Sequence, residues 1–421
     1  MGWTLLVLAV LGLVHALNAL MPTRRNKVLF AWSFFASWMT LELVWHHIVA
    51  GLVIIFVTVS NGALDDPPGV IGLVLMIVDL LLLAWTGVIG RRTVVLVRDA
   101  LADLEPTPGT ARFPRLHVVF PFLMNHRKGV SHKRNIEFAR AGGKKLRLDV
   151  TIPSAPVPGG GDRRPALLQI HGGGWVIGDK REQGLPLLNH MAVQGWVGFN
   201  ANYRLSPAAT FPDHVVDVKR AIAWIKDHAD DYGVDPNFIC ITGGSAGGHL
   251  SALAAVTPNR PDFQPGFEGT DTSVAAGVPF YGIYDFTPDG AFGAGKEVHE
   301  LFLEAWMFKA FVDEEPEKYV QASPLHRVGD DAPAMFVIHG DKDTLAPVED
   351  ARTFVARLRE VSQEPVAYAE MKGAQHAFDI FPSYRSARVM EGVERFLTTL
   401  WERRRQSTGA VEQELAESLT E

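Results

Sequence analysis

Three long apolar stretches crowd into the first 90 residues of this chain, at about Gly2 to Leu20, Val28 to Ser60 and Gly69 to Gly90. Nothing else in the sequence limits the fold so strongly, because a helix of roughly 20 apolar residues covers the hydrocarbon core of a bilayer. The rest of the 421 residues carries mixed charge and reads as an ordinary soluble domain. A helical membrane module followed by a globular one is therefore expected. The formal net charge of −7 offers no polyanion-binding face, so nucleic acid is not an expected partner. The single cysteine, Cys240 in "FICI", excludes an intrachain disulfide and reads as a buried thiol in a reducing compartment.

The first stretch lacks the basic start of a secretory signal, and "NALMPTRRNK" reads as a stop-transfer flank, so an uncleaved span is expected. Residue 6 is Leu, so the opening Met-Gly does not complete a myristoylation pattern. The middle stretch would be about 50 Å long if wholly helical. Either one helix runs past the membrane surface or the chain breaks and crosses twice. Charge favours three spans in all. Arg24, Arg25 and Lys27 follow the first, Asp65 and Asp66 precede the last, and Arg91, Arg92 and Arg98 follow it. Three crossings place both basic flanks in the cytoplasm, the N-terminus outside and the globular domain inside. Glu42, His46, His47 and Asp79 are costly at mid-bilayer. They read as groups near an interface or satisfying one another, with a polar site between helices as the alternative.

The chain divides into a transmembrane helical domain (1–97), a membrane-proximal linker or cap segment (98–134), a catalytic domain (135–406) and an acidic tail (407–421). The second piece reads equally as a plain linker and as a segment lying along headgroups. In the latter, Arg127, Lys128, Lys133 and Arg134 meet anionic lipid while Phe120, Phe122 and Leu123 dip in. From residue 135, "NIEFAR" and "KLRLDVTI" read as paired strands. Apolar runs such as "ALLQI", "FICIT" and "AMFVIHG" then alternate with helical patterns. Strands apolar throughout imply a largely parallel sheet covered on both faces, with ligands beyond its carboxyl edge.

Chemistry-bearing residues fall at those strand ends. "GGSAGG" places Ser245 between Gly243 and Gly247 in the G-x-S-x-G spacing of a strand-turn-helix elbow, which lifts a hydroxyl above the sheet. A serine hydroxyl needs a base that a third group orients. The chain order serine, acid, histidine points to Asp343, with Asp341 as fallback, and to His376. His339 lies on a strand and reads as a packed core histidine. In "HGGGW", three glycines directly behind a strand suit a loop that aims bare N–H groups at a tetrahedral oxyanion. Gly173 and Gly174, with Gly172 in reserve, are the expected donors together with Ala246. No phosphate-loop spacing accompanies them.

These residues carry a resemblance. "HGGGW", "NYRLSPAATFPDHVVDV", "YGVDP", "GGSAGG", "HGDKD" and "GAQHAF" occur in the order of the hormone-sensitive-lipase branch of the α/β-hydrolases, and over about residues 135 to 405 the chain resembles membrane-anchored carboxylesterases of actinobacteria. The resemblance implies an α/β-hydrolase fold and a Ser245–Asp343–His376 triad. It also implies a cap built from the segment before the first strand and an insertion at about Thr287 to Arg327, in which Trp306, Met307, Phe308 and Phe311, with Trp175, are candidate pocket lining. No metal or organic cofactor is implied. The expected function is hydrolysis of carboxylic esters, small or lipid-derived and apolar, by an enzyme anchored in the bilayer. An amidase, formamidase or peptidase on the same triad, and an inert membrane scaffold, are the rivals. Gly244 stands where many relatives have an acid, and Ala377 where many have glycine.

Overall fold

The computed structural model of the chain describes residues 1–23, 29–105, 112–122, 127–293 and 299–418. Arg24, Arg25, Lys27, Val28 and Leu123, the end of the acidic tail (419–421) and part of the insertion (294–298) lie outside the described residues.

The chain opens with helices α1 (Gly2–Leu20), α2 (Phe30–Glu42), α3 (Val44–Ser60) and α4 (Pro67–Arg91), the last extended by α5 (Thr93–Ala100). Among the described residues two helices are long and apolar enough to cross a bilayer: α1, and α4 with its extension to Leu104. The bent pair α2 and α3 makes a third if it counts as one span. The middle apolar stretch is thus not one straight helix, because it turns by 86° at Leu43. α1 and α4 meet through bare backbone. A Cβ on Gly72 would lie 2.6 Å from the Leu6 nitrogen, and such small-residue contacts let apolar helices close up. Their outward faces, with that of α3, expose Val7, Leu11, Val53, Phe56, Leu81 and Trp85.

The four polar residues of this region do not converge on one site. Glu42 pairs with Arg385 of the globular domain. The His46 ring donates to the Val119 carbonyl at 2.9 Å, and the His47 ring donates to the Leu43 carbonyl of its own helix at 3.0 Å. Asp79 is buried against Gly12, whose missing Cβ leaves room for the carboxylate.

A short α6 (Arg115–Val119) leads to β1 (Val130–Ala141), β2 (Lys144–Pro153) and β3 (Arg164–Ile170), then α7 (Leu185–Ala192), β4 (Val197–Ala201) and α8 (Asp213–Asp227). After α9 (Ala229–Tyr232) come β5 (Val234–Gly244), α10 (Ala246–Val256), β6 (Ala276–Phe280), a π-helical segment (His299–Phe308) and α11 (Pro316–Ala322). The chain continues with β7 (Ala334–Gly340), α12 (Val348–Val361), β8 (Val366–Met371) and α13 (Tyr384–Ser418).

The strands form one sheet in the order β1-β2-β4-β3-β5-β6-β7-β8, antiparallel at β1–β2–β4 and parallel from there on. Every residue of β4, β6 and β7 is buried, because helices cover both faces. Alternation along β3 feeds two cores: Ala166 and Leu168 pack with α8, α10 and α12, while Leu167 packs with α5, α7 and α13. The strand order reverses at β3, which sits between β4 and β5. A crevice beyond the carboxyl ends of the strands at that point is where such sheets bind ligands.

Candidate active site

Ser245 stands between β5 and α10 with φ 59° and ψ −123°. Only a crowded turn demands this left-handed backbone from a serine, and the neighbours must be bare for it to close. A Cβ on Gly243 would lie 2.5 Å from the Ile170 carbonyl oxygen, and one on Gly247 would lie 2.1 Å from the same atom. The Ser245 N–H donates to the Phe280 carbonyl at 3.0 Å, which pins the elbow to β6.

Asp343 follows β7 and His376 follows β8. His376 Nδ1 donates to Asp343 Oδ2 at 2.6 Å, and the other carboxylate oxygen accepts the Leu345 and Ala346 N–H groups at 2.8 and 2.7 Å. Burial alone would raise the Asp343 pKa. The His376 and His339 rings oppose it, and the carboxyl is held below the usual carboxylate range. His376 Nε2 is buried and, among the described residues, makes no hydrogen bond, including to Ser245. Contacts of this kind often tighten only when substrate is bound. The fallback Asp341 is occupied otherwise: it accepts the Gly373 N–H at 2.7 Å and lies 3.6 Å from Lys372 Nζ. His339 is buried as expected. It also lies 3.3 Å from Asp343 Oδ2 while donating to the Ala346 carbonyl at 2.9 Å, so it steadies the carboxylate from behind.

The glycine loop reaches the elbow. A Cβ on Gly172 would lie 3.1 Å from Ser245 Cβ, and the Gly172 N–H is committed to Gln183 Oε1 at 2.7 Å. Gly173 (φ 114°) and Gly174 (φ 59°) turn back beside it in left-handed conformations. Ala246 opens α10, so its N–H has no acceptor within the helix.

Tyr281 is a site residue that sequence reasoning missed. Its ring lies 4.5 Å from that of His376, and its hydroxyl occupies the space a Cβ on Gly244 would need, at 2.6 Å. That hydroxyl donates to Asp379, whose pKa burial pushes up to about 6. Glycine before the nucleophile thus makes room for a tyrosine. Gln375, Ser37 and Trp38 were missed as well. No local signal marks the last two, whose partners lie more than 300 residues away. The five candidate pocket residues do not form one wall. Trp175, Met307 and Phe308 are buried in the core beside α8 and α10, whereas Trp306 and Phe311 are exposed. Cys240 is buried on β5, as expected. Among the described residues no group of His, Cys, Asp and Glu is arranged to hold a metal ion.

An eight-stranded sheet of this order, with a strained serine and an Asp–His pair at its carboxyl edge, defines an α/β-hydrolase of the serine type. The BD-FAE family profile matches residues 148–358, and the chain belongs to that family. It is 44% identical over 310 residues to a Mycobacterium tuberculosis protein named "Probable carboxylic ester hydrolase LipM", covering 72% of this chain and 67% of the relative. With "Esterase LipQ" of the same organism it shares 43% identity over 66% of this chain and 65% of the relative. Among solved structures, an esterase from Thermogutta terrifontis, Est2, superposes with a TM-score of 0.52 at 26% identity, covering 63% of this chain and 90% of that one.

Proposed function

We propose that this chain is a membrane-anchored serine carboxylesterase that hydrolyses apolar, lipid-derived acyl esters. One observation carries the reading: the 2.6 Å Asp343–His376 bond leaves His376 Nε2 uncommitted at the sheet edge that holds Ser245. In this mechanism Ser245 Oγ attacks the ester carbonyl while His376 Nε2 takes its proton, and Asp343 holds the tautomer and stabilises the imidazolium. The oxyanion is met by the N–H groups of Gly173, Gly174 and Ala246. Collapse expels the alcohol, to which His376 returns the proton, and water releases the acid from the acyl-enzyme by the same steps. The names of the mycobacterial relatives agree with ester hydrolysis.

Anchoring rests on the apolar outer faces of α1, α3 and α4, and the cytoplasmic placement of the hydrolase domain on the basic flank Arg91, Arg92 and Arg98. Ser245→Ala should abolish turnover of a nitrophenyl ester and labelling by a fluorophosphonate; a variant with full turnover refutes the mechanism. Matched ester and amide substrates test the amidase alternative. Digestion of the hydrolase domain by protease outside sealed cells refutes the orientation.

A further inference from the structure

α2 meets the globular domain at the loop that carries His376 and at the start of α13. Phe34, Ser37, Trp38 and Glu42 lie on one face of the helix, as the spacing i, i+3, i+4, i+8 requires. Each meets one of these two places. Ser37 Oγ accepts the Gln375 Nε2–H at 2.9 Å while donating to the Phe34 carbonyl at 3.0 Å. The same Gln375 uses its carbonyl oxygen to accept the Thr344 N–H at 2.7 Å and the His376 N–H at 2.9 Å. One fully buried amide therefore ties the turn after Asp343, the turn holding His376, and α2 together.

The next residue along is fixed as well. Ala377 has φ 65°, a left-handed conformation that is unfavourable for a residue with a Cβ. Its carbonyl accepts the Trp38 Nε1–H at 2.9 Å. Further on, Glu42 pairs with Arg385 at 2.9 Å, and Arg385 donates to the Lys372 and Gly373 carbonyls at 2.7 and 2.9 Å, the start of the same loop. The Phe34 ring closes the side of His376, 6.4 Å from its centroid.

We propose that α2 is a positioning element of the esterase site: its Ser37–Gln375 and Trp38–Ala377 hydrogen bonds hold the His376 loop in register with Asp343, so turnover requires the N-terminal module to stay docked. Ser37 and Trp38 touch no reacting atom and act through His376. The inference rests on the triad reading above. A misplacement of about 1 Å at a reacting group costs on the order of 100-fold in rate, so a partial loosening should be plain in kcat.

The test uses the full chain in detergent micelles, with Ser37→Ala, Trp38→Phe, the double variant and Ser37→Thr. For each, kcat and KM for a nitrophenyl butyrate, the rate of fluorophosphonate labelling and the melting transition are measured. In the double variant kcat and labelling rate should fall together by about tenfold or more, with KM within about twofold, and Ser37→Thr should recover most of the Ser37→Ala loss. A double variant that melts with the parent and keeps both rates overturns the proposal. If the double variant melts early, Ser37→Ala alone is judged by the same two rates, and unchanged rates overturn it. Ser245→Ala runs in parallel. Turnover by Ser245→Ala sinks the triad reading, whereas an inert Ser245→Ala beside fully active α2 variants sinks only the role of α2.

Discussion

Asp343→Asn changes one heavy atom and should cost almost the whole catalytic rate. The two backbone donors, Leu345 N–H and Ala346 N–H, face Oδ1 at 2.8 and 2.7 Å, so an asparagine keeps its carbonyl oxygen there and turns its NH2 toward His376. Nδ1 of His376, 2.6 Å away, then has to present a lone pair, and the ring proton moves to Nε2. That tautomer cannot accept the Ser245 proton. Losing the correct tautomer and the carboxylate charge together is worth roughly 10⁴ in kcat, or about 5 kcal/mol of barrier. Folding suffers too. A carboxyl whose folded pKa is depressed contributes stability above its unfolded pKa and loses it as pH falls through the folded value, so the variant should melt lower at pH 7. The assay is steady-state hydrolysis of a nitrophenyl ester, with Asp341→Asn as comparison, since Asp341 serves the Gly373 turn and Lys372. An Asp343→Asn enzyme within tenfold of the parent, or an Asp341→Asn enzyme that is the more damaged, refutes this reasoning.

Gly173→Ala places a Cβ 2.1 Å from the Ile177 carbonyl oxygen at a φ of 114°, which would displace a proposed oxyanion donor. A loss of about 10²–10³ in kcat is expected, and an alanine variant with normal kcat removes Gly173 from the oxyanion site. Stability should also fall in mild acid. Burial, with a smaller contribution from His214, pulls the pKa of His249 from 6.5 down to about 3, although its Nε2–H donates to the Ala322 carbonyl, which favours the charged ring; its Nδ1 accepts from Trp175. Below pH 6.5 the unfolded chain binds a proton that the fold refuses, so this one residue withdraws roughly 2 kcal/mol by pH 5. His249→Gln should melt lower at pH 7 but with a shallower fall between pH 6.5 and 5. An unchanged slope refutes the assignment.

Much of this site was legible because its signals are local. G-x-S-x-G needs only the elbow to explain it, and the alternation of β3 between two cores is written in five consecutive residues. The pocket lining is less legible: His299–Phe308 is π-helical, Met307 and Phe308 within it are buried while Trp306 is exposed, and Phe311 beyond it is exposed too, so the spacing of these four residues alone does not say which of them face a substrate. The length of the middle stretch left a break as one of two readings, but its place at Leu43 is not marked by any proline or glycine. Glu42 shows the same limit. As a sequence letter it is a costly charge in an apolar stretch; its reason is Arg385, 343 positions away.

The placement of α2 also bears on how an apolar ester arrives. While α5 packs with α13 on a face of the sheet, the turns bearing Asp343 and His376 lie at the carboxyl ends of β7 and β8, and this edge receives α2. Around it, Leu116, Val119, Phe120 and Phe122 are exposed, with Phe122 packed 5.0 Å from Phe381 and Val119 held by His46 at the start of α3. On the proposed membrane reading, an exposed apolar rim joined to a spanning helix and to the histidine loop is where acyl chains leave the lipid phase. Turnover of nitrophenyl esters should therefore rise with acyl length in vesicles more steeply for the parent than for Phe120→Ser with Phe122→Ser. The Ser245 labelling rate should stay the same in both, because the rim delivers substrate and takes no part in the chemistry. Equal chain-length profiles for the two enzymes refute that route.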